Sequence, residues 1–579
     1  MLDIADKYLI KNRGGTLEVK EIKKDKSIAY FSMEIGIDSR IPTYSGGLGV
    51  LAGDTLRSFA DLKVPVIAVT LLHRKGYFYQ KLDAAGNQME LPVQWTPSDF
   101  LELLPVKITV EIENRKITVQ AWRYNLKSVD ENYFIPILFL DTDIPANTDY
   151  DRTLTNYLYG GDEKYRLAQE IVLGIGGVRM LRKLSYTDIK KYHMNEGHAS
   201  LLVLELLRNN KRIEGHMFNF DEVRNLCVFT THTPVPAGHD KFSYDLVRNV
   251  LGEFIPLDVL KTLAGEENLN MTLLALNLSQ YINGVAKKHG KISREMFPDY
   301  PIDSITNGVH PYSWASESFR KLYNKYIPGW TKDPFTLRYI VGIPKTEIWD
   351  AHTGAKKKLI DYINKESNTG MDYETFTIGF ARRSSTYKRA GLLFFDIDKL
   401  IDISKKAGKI QIVFAGKAHP KDMPGKGIIK GIFEYIRKIK NDIKMVYLEN
   451  YDMELGKMIT SGVDLWLNTP LRPKEASGTS GMKASLNGVP NFSILDGWWI
   501  EGCIEGVTGW SIGGKLIEEY SDEKDARDLY NKLENIIIPM FYKERERWLN
   551  IMQYSIAFNA SFFNTHRMVH EYVLNAYLD

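Results

Sequence analysis

The sequence predicts an α/β protein with a doubly wound parallel sheet in its second half. Five short apolar segments, each followed by polar or glycine-bearing residues, alternate there with helical patterns. These predicted strands span residues 376–381, 410–415, 445–449, 464–468 and 491–495. Ligands of such sheets bind at the carboxyl ends of the strands. We therefore expect the functional residues of this half in the loops that follow the strands.

The first half predicts further strands and helices around a glycine-rich turn. Residues 27–33 alternate and are aromatic, and residues 64–72 form the β-branched run of a buried parallel strand. Between them, Gly46, Gly47 and Gly49 precede a helical pattern over 55–62. Such a turn lets backbone amides approach an anion closely, although glycines at a junction can also serve packing alone. Strands over 117–124 and 133–141, a long helix over 162–184 and C-terminal helices over 521–577 complete the prediction.

Length and composition are those of a two-domain globular protein. The 579 residues exceed one ordinary core, and we expect domains at 1–370 and 371–579, joined near residues 364–372. The small net charge of +3 gives no case for nucleic acid, and lysine runs such as 356–358 are predicted to be solvated faces. Two cysteines exclude a disulfide framework, and no signal-peptide or membrane-spanning run is found. We therefore expect a soluble, cytoplasmic protein without membrane contact.

The stretch from Glu475 to Lys483, Glu-Ala-Ser-Gly-Thr-Ser-Gly-Met-Lys, joins a predicted strand to a helix that opens near Met482. Free backbone N–H groups at the positive end of a helix dipole form a phosphate cradle. Lys483, one turn inside, can pair with the phosphate or form an imine with a carbonyl cofactor. The plainer alternative is a tight turn at Gly478 and Gly481, with a solvated surface lysine.

A basic run follows the first predicted strand of the second half. Arg382, Arg383, Lys388 and Arg389 place four cations close together. The run can be an exposed basic loop. Alternatively, the planar guanidinium of Arg383 and the compact ammonium of Lys388 can bind one anion together. That pairing suits a mobile dianion such as inorganic phosphate. We therefore predict an anion clamp at this strand end.

Histidines near a glutamate raise the question of a metal site. Asn195-Glu196-Gly197-His198 and His232 lie close to predicted strand ends. The first segment is a strand-to-helix turn and does not place two ligands on one helical face, so we predict no metal here. His198 and His232 are instead predicted to line a pocket or to make buried hydrogen bonds.

Several separate segments, in the same order, resemble the α-glucan phosphorylases, the glycogen, starch and maltodextrin phosphorylase family. The family pattern Glu-Ala-Ser-Gly-Thr-Gly-Asn-Met-Lys differs from residues 475–483 only at Ser480 and Gly481. Its Asn-Gly-Gly-Leu-Gly, Lys-Arg-x-x-x-Tyr-Lys-Arg, Phe-Ala-Gly-Lys-Ala and Glu-Asn-Tyr segments correspond to residues 45–49, 382–389, 414–418 and 449–451. The resemblance implies a GT-B fold, in which two Rossmann-like, doubly wound domains face a central cleft and C-terminal helices cross back onto the first domain.

The resemblance also implies the cofactor pyridoxal 5′-phosphate, carried by Lys483 as a Schiff base. The other residues implied in cofactor binding are Gly478, Thr479, Ser480 and Arg382. Arg383 and Lys388 join Lys483 as catalytic residues, because their family counterparts hold the substrate phosphate. The residues implied in substrate binding are Gly47, Leu48, Asn195, His198, Gln280, Tyr387, Lys417, Glu475 and Ser477.

Two departures from the family pattern bear on these roles. A histidine that reads the bound glucose in long phosphorylases is replaced by Gln280, which can still donate and accept hydrogen bonds. An arginine of many long enzymes is replaced by Asp452, which would remove one positive charge near the cofactor. Little sequence precedes Tyr30, so we also expect an enzyme without AMP or phosphoserine control.

The implied activity is retaining phosphorolysis of an α-1,4-glucan or maltodextrin by inorganic phosphate, which gives α-D-glucose 1-phosphate. Family members are usually homodimers. The rival is a nucleotide-sugar glycosyltransferase of the same fold, such as a glycogen or starch synthase, which lacks the Gly-Met-Lys ending. Intact Lys483, Arg383 and Lys388 disfavour a catalytically inactive glucan-binding protein. A paired-carboxylate glycosidase is disfavoured because these loops present cations.

Overall fold

The computed structural model describes residues 7–11, 17–21, 26–210, 218–514 and 521–578, which form a mixed α/β protein. Its strands are β1 Lys7–Lys11, β2 Leu17–Glu21, β3 Ile28–Ser32, β4 Val66–Leu71, β5 Tyr79–Leu82, β6 Gln88–Leu91, β7 Glu102–Ile112, β8 Arg115–Lys127, β9 Phe134–Asp141, β10 Lys191–Asn195, β11 Cys227–Thr230, β12 Lys241–Ser243, β13 Asn268–Asn270, β14 Tyr281–Gly284, β15 Ile302–Ser304, β16 Phe376–Ala381, β17 Ile410–Ala415, β18 Lys444–Leu448, β19 Leu465–Asn468, β20 Asn491–Ile494 and β21 Gly509–Ile512.

The α-helices are α1 Gly47–Asp61, α2 Glu163–Ile171, α3 Gly177–Lys183, α4 Leu202–Asn209, α5 Phe220–Leu226, α6 Tyr244–Leu251, α7 Leu257–Ala264, α8 Met271–Asn277, α9 Lys287–Met296, α10 Pro311–Trp314, α11 Glu317–Tyr326, α12 Lys345–Ser367, α13 Ile397–Lys406, α14 Met423–Ile439, α15 Met453–Gly462, α16 Thr479–Leu486, α17 Trp499–Gly502, α18 Asp522–Lys532, α19 Ile538–Lys543, α20 Arg545–Tyr554 and α21 Thr565–Tyr572. Within the described ranges, no helix combines the length and apolarity that crossing a bilayer requires.

Among the described residues, nine strands form the first sheet, in the order β15-β14-β11-β10-β3-β4-β9-β8-β7. The pairs from β15 to β9 are parallel, and β8 and β7 are added antiparallel at one edge. Every residue of β3, β4 and β10 is buried, as expected for parallel strands that are covered on both faces.

The second sheet has six parallel strands in the part of the chain that is described, in the order β18-β17-β16-β19-β20-β21. The chain moves outward from β16 to β18 and then returns to place β19 on the other side of β16. The loops after β16 and β19 therefore diverge at a topological switch point, where open α/β sheets bind ligands.

The predicted strands of the second half are confirmed to within one residue at either end. Two helices begin earlier than predicted. Helix α1 begins at Gly47, not near residue 55, and α16 begins at Thr479, not near Met482. Gly478 has φ +91°, a left-handed conformation that glycine adopts without strain and that turns the chain directly into α16.

The β5–β6 hairpin of the first half contacts the loops that follow β17 and β18. Gln80 Nε2 donates to the Gly416 carbonyl at 2.9 Å, and the Asn450 amide donates to Gln80 Oε1 at 2.8 Å. Lys81 pairs with Glu449 at 2.6 Å. The hairpin therefore holds two loops at the carboxyl edge of the second sheet.

The C-terminal helices pack against the first sheet. Tyr572 and Tyr577 share an apolar cluster with Phe59 of α1. The hydroxyl of Tyr577 lies 2.6 Å from Nδ1 of His193, which is on β10. The end of the chain therefore covers strands that begin the fold.

Asp464, just before β19, is the centre of a buried polar network. Its carboxylate accepts hydrogen bonds from Lys356 Nζ at 2.6 Å and the Thr377 amide at 2.7 Å, and His352 Nε2 lies 2.8 Å away. Burial opposes ionisation, but Lys356 holds the pKa of Asp464 below its usual range. Lys356 is only 3% exposed, so its predicted place on a solvated face is wrong. Residues 357 and 358 are exposed.

Replacing Asp464 by asparagine is expected to lower the free energy of unfolding by about 3–5 kcal/mol, because the Lys356 ammonium would stay buried without its counter-charge. Since the pKa of Asp464 is lowered in the folded state, this stabilisation is present at neutral pH and is lost as the pH falls through the folded pKa. Urea denaturation measures it, with Asp361→Asn on the exposed face of α12 as control. A loss below about 1 kcal/mol for Asp464→Asn would contradict the prediction.

Candidate active site

The loops after β16, β19 and β20 bring three charged groups together at the carboxyl edge of the second sheet. Glu475 Oε2 lies 2.5 Å from Arg382 Nη2 and 2.6 Å from Lys388 Nζ. The Glu475 amide donates to Asp496 Oδ2 at 2.9 Å. Lys388 also lies over the ring of Tyr387, 4.4 Å from its centroid. The structure thus joins four residues that the sequence predicted for the site and adds Asp496.

Burial sets the protonation of this cluster. Burial alone would raise the pKa of Glu475, but Arg382 and Lys388 lower it to about 2. Burial, then repulsion from Arg382, lowers the pKa of Lys388 to about 7, against the attraction of Glu475. Burial raises the pKa of Asp496 to about 6. The cluster therefore holds a permanent carboxylate, Glu475, beside a lysine that can change charge near neutral pH.

Arg383 differs from its neighbours because it makes no hydrogen bond or ion pair within the described residues and is exposed. The positive charge of Arg383 works to lower the pKa of Tyr77 and the pKa of His419. The pKa of Tyr77 is raised mainly by burial, and the negative charge of Glu34, in the first half of the chain, raises it further. Arg383 is therefore a guanidinium available to an anion at a point where the two halves of the chain meet.

Lys483 lies on α16 and is 8% exposed. Its Nζ is 3.5 Å from the centroid of the Trp314 ring, whose Nε1 donates to Asp54 at 2.6 Å. Burial lowers the pKa of Lys483 to about 8, although Asp54 works in the opposite direction. A lysine buried against an aromatic ring carries more neutral amine at pH 7 than a solvated one, and the neutral amine is the nucleophilic form. The alternative of a solvated surface lysine is therefore wrong.

Unpaired polar atoms lie near the first turn of α16. Gly478 precedes the helix without a capping side chain, and Thr479 is its first residue. Ser477 Oγ and Arg382 Nε are buried and have no hydrogen-bond partner. Ser480 Oγ accepts from Trp466 Nε1 at 3.3 Å. Unpaired donors beside a positive helix end fit a phosphate group.

The asparagine of the family pattern is absent at Gly481 for a steric reason. A Cβ atom at Gly481 would lie 2.3 Å from Asn491 Oδ1. Asn491 Nδ2 donates to the Gly481 carbonyl at 3.0 Å and so occupies the space beside α16. An asparagine at this position would therefore require Asn491 to move.

Lys417 and Asp452 occupy the loops after β17 and β18. Lys417 Nζ donates to the Phe78 carbonyl at 3.1 Å, and burial lowers the pKa of Lys417 to about 8 while Asp452 opposes the shift. Asp452 accepts from the Leu455 amide at 2.8 Å and caps the N-terminus of α15. The acidic departure from the family pattern therefore has a structural role here.

The glycine-rich turn before α1 is closed by Glu34, a residue that sequence reasoning missed. Its carboxylate accepts from the amides of Ser45 at 2.5 Å and Gly46 at 3.3 Å and from the Tyr159 hydroxyl at 2.9 Å. Burial raises the pKa of Glu34. Gly47 and Leu48 follow in the first turn of α1. The Tyr-Ser-Gly-Gly turn suggested amides that face an anion, but no pattern indicated an internal carboxylate.

Asn195 and His198 lie at the carboxyl end of β10. Asn195 Oδ1 is 2.7 Å from His232 Nε2, and Glu196 Oε2 accepts from the His232 amide at 2.8 Å. His198 Nε2 is 3.4 Å from Asp240 Oδ2. Burial lowers the pKa of both histidines to about 4, so they are neutral hydrogen-bonding groups. These contacts agree with the predicted alternative of buried hydrogen-bonding histidines, and a pocket-lining role stays a prediction.

Gln280 is the exception among the predicted site residues. It is exposed and precedes β14, at the amino edge of the first sheet, whereas Asn195 ends β10 at the carboxyl edge. Its Oε1 accepts from Lys191 Nζ at 3.0 Å. The structure therefore does not place Gln280 with the other substrate-binding candidates.

Known proteins resemble this chain over most of its length. A maltodextrin phosphorylase from Thermococcus litoralis is 40% identical over 598 residues, which cover 95% of this chain and 70% of that protein. Glycogen phosphorylases from Mycobacterium tuberculosis and Aquifex aeolicus are 36% and 34% identical to it. Each match covers 95% of this chain, and the matches cover 70% and 86% of the two relatives, respectively. The family model described as carbohydrate phosphorylase matches residues 256–507. On this similarity, the chain belongs to the carbohydrate phosphorylase family.

Proposed function

We propose that the protein is an α-1,4-glucan phosphorylase that transfers the terminal glucose of maltodextrin or glycogen to inorganic phosphate and gives α-D-glucose 1-phosphate with retention. The observation that carries the proposal is the buried amine of Lys483, one turn inside an anion-accepting helix end. The rival nucleotide-sugar glycosyltransferases lack the Gly-Met-Lys ending that carries this lysine. The family membership and the names of the relatives support the same function.

The residues around α16 fit pyridoxal 5′-phosphate. Lys483 would supply the amine for its aldehyde, and the backbone amides of Gly478, Thr479 and Ser480 would hold its phosphate. The unpartnered Nε of Arg382 adds a charged donor. When bound, the cofactor supplies a phosphate group that can exchange a proton with the substrate phosphate.

Two side chains are suited to hold the substrate phosphate. Arg383 has no competing partner among the described residues, and Lys388 supplies a second cation. The Glu475 carboxylate keeps Arg382 and Lys388 in place and can also accept hydrogen bonds from sugar hydroxyls. Two phosphates can lie close together only where several cations offset their repulsion. This cluster meets that requirement.

The remaining site residues are proposed as a sugar-binding surface. Neutral His198 and Asn195 offer hydrogen bonds from the first sheet, and Tyr387, Ser477 and Lys417 offer them from the second. Gly47 and Leu48 approach from the turn before α1. In this proposal the glucan lies between the two groups of loops.

The proposal includes a GT-B architecture with Rossmann-like domains at 1–370 and 371–579 that face a central cleft. The β5–β6 hairpin and the packing of Tyr577 on β10 support it, because both join the two parts of the chain. A homodimer in the cytoplasm is the expected setting, from the family resemblance and the small number of cysteines.

Donor preference tests the proposal against its rival. The protein, supplied with pyridoxal phosphate, is incubated with maltoheptaose and either α-D-glucose 1-phosphate or a nucleotide sugar (UDP-glucose or ADP-glucose). We expect chain elongation and release of phosphate from glucose 1-phosphate only. Elongation from a nucleotide sugar alone would overturn the proposal.

We expect deprotonation of Lys388 to weaken phosphate binding at alkaline pH. Since burial and Arg382 lower its pKa to about 7, its ammonium is present below that pH and is lost above it. We expect the phosphate KM to rise by up to about tenfold per pH unit above pH 7, relative to Lys388→Arg, whose guanidinium stays charged. Initial rates between pH 6 and pH 9 measure this difference. Parallel KM profiles for the two proteins would contradict the role of Lys388.

A further inference from the structure

Asp61, His310 and His566 converge on one point although they are far apart in the sequence. Asp61 ends α1, His310 precedes α10, and His566 lies on α21. One ligand atom from each residue lies within 4.8 Å of the other two. Asp61 Oδ2 is 2.8 Å from His310 Nε2 and 3.6 Å from His566 Nε2. The point lies between the first helix of the fold and its last.

His566 has an unexplained polar atom at this point. Its Nε2 is buried and has no hydrogen-bond partner, and the residue is only 2% exposed. The Thr331 backbone also faces the ring. A buried polar atom without a partner is rare in native proteins and indicates a bound ion or water.

Outer hydrogen bonds fix how each of the three groups is presented. His566 Nδ1 lies 3.1 Å from Ser58 Oγ. His310 Nδ1 lies 2.7 Å from Ser313 Oγ and accepts from the Ser313 amide at 3.3 Å, so without a metal the His310 Nε2–H donates to Asp61. A bound metal would take the place of this proton, and Nδ1–H would then donate to Ser313 Oγ. Asp61 Oδ1 accepts from the Val129 amide at 2.7 Å, which leaves Oδ2 to face the histidines. Metal-binding histidines usually have such a partner on the other ring nitrogen, because it orients the ring.

We propose that Asp61, His310 and His566 form a structural site for a divalent transition metal of the zinc type, outside the active site. Imidazole and carboxylate ligands suit Zn²⁺, and bond lengths of about 2.0–2.2 Å place tetrahedral ligands about 3.3–3.6 Å apart. The Asp61–His566 separation already meets this value, and the Asp61–His310 pair needs to open by about 0.5 Å. Water or the Thr331 carbonyl can fill the fourth position.

Such a metal would tie the C-terminal helix to the first sheet. At present α21 is joined to α1 near this point through the 2.6 Å contact between Thr565 Oγ1 and Ser58 Oγ. A metal bound by the folded protein alone stabilises it by mass action. The three ligands come from α1, the residue before α10 and α21, so the ion would stabilise the assembled chain and not one segment.

Zinc binding to protein freed of metal by chelation tests the site. We expect one Zn²⁺ per chain by elemental analysis after removal of excess metal, and a Tm rise of about 3 °C or more. Co²⁺ should give the visible absorption of a four-coordinate site. His566→Gln should lose all three signals, whereas His570→Gln, an exposed histidine of the same helix, should keep them.

Two outcomes would overturn the proposal. One is wild-type protein that retains no stoichiometric zinc and shows no shift of Tm. The other is zinc retained equally by His566→Gln, which would place the metal elsewhere. If His566→Gln does not fold, the wild-type zinc and cobalt titrations decide alone, and failure of either to saturate at one metal per chain contradicts the site.

Discussion

Replacing Lys483 by alanine is expected to lower kcat/KM for phosphorolysis by at least about 10³-fold. The buried amine beside Trp314 is the group that fits the cofactor aldehyde, and no other lysine lies on α16. The variant should also lose the absorption band of protein-bound pyridoxal phosphate, which borohydride fixes covalently in the wild type. Steady-state rates with maltodextrin and phosphate, and spectra before and after reduction, measure both effects.

Lys474→Ala is the matched control for this variant. Lys474 lies in the loop before α16 and is exposed, so its loss should change neither the rate nor the spectrum. Covalent retention of the cofactor by Lys483→Ala after reduction would contradict the assignment. A wild-type protein that folds but takes up no pyridoxal phosphate would contradict it as well.

Replacing Arg383 by alanine is expected to lower kcat/KM for phosphate by about 10²–10³-fold, the usual cost of removing one charged group that stabilises a transition state. Arg383 makes no ion pair within the described residues, so its loss leaves no carboxylate unpaired. The Tm should therefore stay within about 2 °C of the wild type. Phosphate titrations at saturating maltodextrin, together with thermal unfolding, separate the two effects.

Two comparison variants sharpen the test of Arg383. Arg383→Lys keeps the charge but loses the planar fork, so its rate should lie between those of the wild type and Arg383→Ala. Arg527→Ala removes an exposed arginine of α18 that pairs with Glu523 and should leave the phosphate KM unchanged. An unchanged phosphate KM in Arg383→Ala would show that the substrate anion binds elsewhere.

Five of the six described strands of the second sheet could be predicted from the sequence, because they are short, continuous apolar runs that end in glycine or polar residues; β21, Gly509–Ile512, was not predicted. Residues 376–381 and 410–415 match β16 and β17 at both ends. The turn from β19 into α16 was also predictable from its glycine and small residues, whereas its use as a phosphate cradle stays a prediction, because a tight turn alone has the same pattern. Local patterns therefore sufficed where each element is defined by its own residues.

The rest depends on contacts between distant residues. Lys356 reads as part of an exposed lysine run, but a partner 108 positions away, Asp464, accounts for its burial. In the sequence, Asp452 indicates only the loss of a positive charge. In the structure, its carboxylate accepts from the Leu455 amide and caps α15. Glu34 and the histidines beside Asp61 carry no local pattern at all. Only the assembled fold reveals such roles.

The product formed from maltodextrin and orthophosphate tests the central claim most directly. The protein loaded with pyridoxal phosphate is incubated with both substrates, without any nucleotide, and the products are followed by phosphorus and proton NMR. We predict α-D-glucose 1-phosphate as the first sugar product, formed in step with shortening of the glucan by one residue. Release of free glucose, formation of the β anomer, or no reaction by folded, cofactor-loaded protein would contradict the assignment of Lys483, Arg383 and Lys388 to phosphorolysis.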